Sequence, residues 1–133
     1  MNKSEFLGVK THVKNIEYNF QEPQKDGYIE LEIKDEIEIN EMTDEYIKTS
    51  AIRKLIFKNI ENTFLNVTFD MNIKISKPIT KDCFIEKIKN GKGIISANVY
   101  SKISLLISNI TNMCPLGTII TPPTYDAKEI IIK

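Results

Sequence analysis

The chain has 133 residues, 41% of them hydrophobic and 27% charged, which suits one globular domain that buries a core without disulfide or metal staples. Its net charge is zero, yet residues 17–45 carry eleven acidic side chains against Lys25 and Lys34, so this stretch stands at minus nine and the remainder at plus nine. These figures argue against a dominant basic nucleic-acid face, and the apolar runs fall far short of the roughly 20 residues that span a bilayer.

The opening Met1-Asn2-Lys3-Ser4-Glu5-Phe6 has no apolar stretch and no small-residue cleavage site, so the expected compartment is the cytoplasm. No linker or repeat divides the sequence, and residues 1–133 read as one domain. A weak alternation at Ile16, Tyr18 and Phe20 predicts a first strand that ends before Pro23. Ile29, Leu31, Ile33, Ile37 and Ile39 then alternate with Glu30, Glu32, Lys34, Glu36 and Glu38. Asp35 interrupts the inward side of this second strand, which predicts a kink or bulge there.

Ala51 to Lys58 supplies a third strand. Leu65, Val67, Phe69, Met71, Ile73 and Ile75 supply the plainest one, with polar residues at every position between them. After Pro78 the period becomes helical: Thr80 caps a short helix with Phe84, Ile85 and Ile88 inward, ending at Asn90-Gly91. A longer helix carries Ile95, Val99, Ile103, Leu106, Ile107, Ile110 and Met113 on one side, and Pro115 stops it. The expected fold is α+β, a four-stranded antiparallel sheet with a short and a long helix packed on one face. The proline-rich segment from Pro115 to Tyr125 also carries apolar side chains, so it must lie against something apolar.

Catalysis needs positioned acids, bases or nucleophiles, and the sequence offers no such set. His12 reads as a surface residue, and no serine or cysteine has a histidine partner pattern. Cys83 and Cys114 are too few for a disulfide framework or a zinc site. Gly91-Lys92-Gly93 lacks the strand-to-helix setting of a phosphate loop. The expectation is therefore a binding protein: no enzyme, no catalytic residues, no metal, no cofactor and no nucleic-acid partner. The single arginine, Arg53, among so many lysines reads as compositional bias without functional content.

Val99-Tyr100-Ser101-Lys102, an apolar helix, Pro115, Ile119-Ile120-Thr121-Pro122 and Tyr125-Asp126-Ala127 follow one another in an order that resembles the C-terminal signature of the SecB protein-export chaperone family. There a Pro-Tyr-Ala-Arg helix start leads to a proline, a Leu-Ala-Pro loop and a Phe-Asp-Ala segment. Val13 to Phe20 is similar to that family's first strand. The resemblance covers nearly the whole chain, specific at the C-terminal end and architectural in the middle.

The resemblance implies an ATP-independent holdase, a homotetramer built as a dimer of dimers, that binds unfolded polypeptide clients in apolar grooves and delivers them to the export motor SecA without inserting into the membrane. Phe84 and Ile88, with Ile119, Ile120, Pro122 and Tyr125, are the candidate client-binding residues; at such positions apolar side chains serve equally as core or subunit contact. Glu30, Glu32, Glu36 and Glu38 form a candidate acidic docking face. The family's acidic SecA-facing positions correspond here to Asn15 and Asn19, and its acidic tail is missing. A chaperone dedicated to one client, such as an antitoxin, therefore stands as an alternative. So does a non-chaperone adaptor that uses the acidic strand face.

Overall fold

Apolar side chains at every second position give a strand one apolar face, and an antiparallel sheet buries that face by packing it against a core. Leu65, Val67, Phe69, Met71, Ile73 and Ile75 behave in this way in the computed structural model, which describes residues 6–19, 31–57, 62–89, 96–113 and 117–123. They belong to β4 (Asn62–Ile75), which lies between β1 (Phe6–Tyr18) and β3 (Tyr46–Phe57). β2 (Leu31–Met42) completes the sheet in the order β1-β4-β3-β2, every pair antiparallel. Three hairpin-connected strands with the remaining one returned beside the last form a Greek key, so β1 and β2 are opposite edges.

Between β2 and β3 the Thr43 hydroxyl accepts hydrogen bonds from the amides of Glu45 and Tyr46, at 3.2 and 3.1 Å, which closes the turn. β1 starts at Phe6, ten residues before the alternation that signals it. No bulge forms at Asp35: Lys34, Asp35 and Glu36 pair in unbroken register with Lys54, Arg53 and Ile52, and the irregularity falls between Ile39 and Glu41. Asp35 keeps its inward place because its charge is met across the ladder.

After the sheet comes α1 (Lys81–Lys89), and the Thr80 hydroxyl accepts the Cys83 amide at 3.2 Å as an N-cap should. Thr80→Ala is expected to cost about 1 kcal/mol, a fall of roughly 3–5 °C in a thermal melt for a domain of this size. The second helix is not uniform. A π-helical turn, Ser96–Tyr100, leads into α2 (Ser101–Thr111), and Met113 lies beyond it, exposed rather than inward. Thr111 turns its hydroxyl back to the Ile107 carbonyl at 2.8 Å as the helix closes. Ile95 and Pro115, assigned to this helix from the sequence, lie outside the described residues.

The core joins the inward rows of β2, β3 and β4 to Phe84 and Ile88 of α1, Val99 and Tyr100 of the π-helical turn, and Ile103 and Ile107 of α2. Among the described residues no helix is long and apolar enough to cross a membrane.

Candidate functional site

An aspartate in an apolar row is costly unless its charge is paired and its oxygens are hydrogen-bonded. Asp35 stands directly opposite Arg53 in the β2–β3 register. The guanidinium grips the carboxylate with two parallel bonds, Nε to Oδ1 and Nη2 to Oδ2, both 2.7 Å, and the two side chains are 1% and 0% exposed. This fork-to-carboxylate geometry is what arginine supplies and lysine does not. Tyr100 covers the ion pair, with the Arg53 guanidinium carbon 5.0 Å from its ring centroid. The Tyr100 hydroxyl donates to the backbone carbonyls of Glu36 and Ile52, at 3.1 and 3.3 Å.

The remaining Arg53 nitrogen, Nη1, reaches the proline-rich segment. It donates to Thr121 Oγ1 at 3.0 Å and to the Pro122 carbonyl. From α2, the Ser104 hydroxyl donates to the Thr121 carbonyl, and Thr111 Oγ1 accepts the Ile119 amide at 2.8 Å. Gly117, at φ +83°, admits the chain to this path through a conformation that other residues rarely adopt. The segment is thus tied along one side of α2 and down to β3. Ile119 packs half-buried against the core and Thr121 is 2% exposed, while Ile120 between them is 83% exposed.

Two further apolar surfaces are open. Leu105 projects from α2 beside Ser104, so Leu105 and Ile120 flank the Ser104–Thr121 hydrogen bond. On β1, Val13, Ile16 and Tyr18 oppose Phe69, Val67 and Leu65 of the buried row, yet all three are exposed because the edge of the sheet is left uncovered there. Tyr18 connects that edge to the core through Phe64, ring centroids 5.4 Å apart, and Phe64 packs on Phe57 at 5.1 Å. Exposed apolar groups gathered on one side of a strand, as Val13, Ile16 and Tyr18 are, suit a surface that meets another chain.

Of the candidate client-binding residues, Phe84 and Ile88 are core, 1% and 4% exposed, and line no open surface in this conformation. Ile119, Ile120 and Pro122 fall together on the tied loop, and Tyr125 lies outside the described residues. On β2, Glu32, Glu36 and Glu38 are half-buried and Glu36 pairs with Lys54 at 3.4 Å; Glu30 lies outside the described residues. Asn15 is exposed and donates to Glu17 Oε1 at 2.9 Å.

A polar row crosses all four strands: Asn40 donates to Ser50, Ser50 to Asp70, and His12 Nε2 lies 3.5 Å from Asp70. The carboxylate stands between hydroxyl and imidazole, so the histidine does not reach the serine that it would have to activate. Among the described residues no group of three or more His, Cys, Asp or Glu side chains could hold a metal ion.

Similarity of fold identifies the architecture. The structure aligns with the Mycobacterium tuberculosis SecB-like chaperone Rv1957, solved in complex with a ChAD peptide from the HigA1 antitoxin, at a TM-score of 0.53 and 12% identity, over 88% of this chain and 80% of that one. The fold is SecB-like. A Streptococcus agalactiae protein of unknown function aligns at a TM-score of 0.44 and 10% identity, over 90% of this chain and 99% of that one. No protein-family model and no curated protein sequence matches the chain.

Proposed function

We propose that this SecB-like chain is a chaperone that holds unfolded or non-native polypeptides on apolar surface, without nucleotide, metal or catalysis. The observation that carries the reading is the exposed Ile120, displayed on a loop tied to α2 and β3 in a SecB-like fold. Unfolded chains offer scattered apolar side chains, so a sequence-tolerant binder needs apolar contacts rather than a fixed polar constellation. Leu105, Val13, Ile16 and Tyr18 extend the surface available to such a client. In this reading both helices cover one face of the sheet, the protein acts in the cytoplasm, and it assembles as a homo-oligomer, a dimer of dimers as in the SecB family.

The favoured client relationship is a dedicated one. The similar SecB-like chaperone was solved with a peptide from an antitoxin, and Asn15 and Asn19 carry no charge with which to meet an export motor. Delivery to SecA is the second reading and requires another acidic surface, for which Glu32, Glu36 and Glu38 are the candidates.

The deciding experiment titrates the purified protein with one aggregation-prone protein in its unfolded and native forms, with oligomer mass read by light scattering. Binding to the unfolded form alone, by an oligomer without nucleotide, supports the holdase. Binding to the native form alone supports a folded-state adaptor instead. Ile120→Ser is expected to weaken client binding about tenfold or more, from the loss of ~1.5–3 kcal/mol of apolar burial, and to leave the melting temperature unchanged. A matching fall in thermal stability would place Ile120 in a subunit contact.

A further inference from the structure

We propose that Arg53 is a positioning residue for the client surface: from within the core its guanidinium clamps residues 117–123 to the sheet and so holds Ile120 outward. The inference rests on the reading of this loop as client surface. An untied loop of this composition would turn its isoleucine inward, since apolar area leaves water whenever the backbone permits. Here the backbone does not permit it. Thr121 and Pro122 are held from below by Nη1 of Arg53, Thr121 is held from the side by Ser104, and Ile119 is held by Thr111. Ile120 lies between these ties and has only the outward direction left.

The choice of residue points the same way. Of eighteen basic residues in the chain only one is an arginine, and it occupies the position that needs a planar fork. Two of its nitrogens engage Asp35 in parallel while the third reaches the loop, a division that a single ammonium group cannot reproduce. A buried ion pair is weak evidence for stability, because apolar residues of similar volume often do as well. What apolar residues cannot do is donate to Thr121 and Pro122.

The double variant Asp35→Leu/Arg53→Met removes the clamp while keeping the volume filled, and Ser104→Ala/Thr121→Val cuts ties from the loop side with the ion pair intact. Both are compared with the full-length wild type by amide exchange across residues 117–121 and by affinity for an unfolded client. The expected result is a stable fold in which loop exchange quickens and client affinity falls, each about tenfold. Should the core variant fail to fold, Arg53→Lys takes its place, since an ammonium can pair with Asp35 but cannot at the same time reach Thr121 and Pro122. Loop exchange unchanged in the folded variants overturns the clamp, and faster exchange with full client affinity overturns its link to binding. A wild type that binds no unfolded client overturns the chaperone reading, while the difference in loop exchange between variants and wild type still decides whether the clamp exists.

Discussion

Arg53→Ala is expected to destabilise the protein by roughly 3–5 kcal/mol, a large part of the 5–15 kcal/mol that holds a typical domain folded. The loss is not the strength of one salt bridge. Removing the guanidinium takes the opposing charge from the buried Asp35 carboxylate, strips Thr121 and Pro122 of the Arg53 donor, and uncovers one side of the Tyr100 ring. Urea denaturation should show a lower midpoint with an unchanged slope, the mark of altered stability rather than altered compactness. A loss under about 1 kcal/mol would mean that water reaches Asp35 in the variant, contrary to the burial of both side chains. The contrast with Asp35→Leu/Arg53→Met is informative, since that pair removes both charges and leaves neither orphaned.

Phe84→Ala should cost about 3–5 kcal/mol, the usual range for emptying a phenylalanine site in a packed core. The ring is fully enclosed, so the transfer free energy and the cavity left behind both count. Chemical denaturation and client titration together separate the two roles considered for this residue. Lost stability with client affinity retained in the folded fraction fits the core placement. Lost affinity at full stability would require α1 to lift away from the sheet and expose Phe84 to clients. Ile120→Ser is the opposite case, with binding affected and stability spared.

The legible parts of the fold were those buried on one side and wet on the other. β4 shows most of its length in the sequence because from Leu65 to Ile75 every inward position is apolar and every outward one polar, whereas Phe64, off that parity, is buried beside an irregularity in the β3–β4 register. β1 was legible only at its end. An exposed edge strand need not alternate, and a bulge between Val13 and Asn15 changes the parity, so Val9, Thr11 and Val13 share a side with Ile16 and Tyr18. That shift hides the apolar edge from a period-two reading.

The site was half legible. A proline-rich segment with isoleucines marked the loop, but nothing local distinguished the half-buried Ile119 from the exposed Ile120. The decisive residues lie 68 and 69 positions apart in the chain, Arg53 with Thr121 and Pro122, and such a pairing has no periodicity. Asp35 read as a defect and Arg53 as compositional bias. Each was the explanation of the other, visible once β2 and β3 were in register.

The Greek-key order also bears on how the protein is made. β2, β3 and β4 pair with sequence neighbours, whereas β1 must wait for β4, because Tyr18 pairs with Leu65 and Phe6 with Ile75. At ribosomal rates of ~5–20 residues per second, the first strand stays without its partner for roughly 3–10 seconds. Through that interval Val13, Ile16 and Tyr18 are displayed on an unpaired segment. During its own synthesis the chain therefore resembles the non-native polypeptides that the proposed holdase would bind.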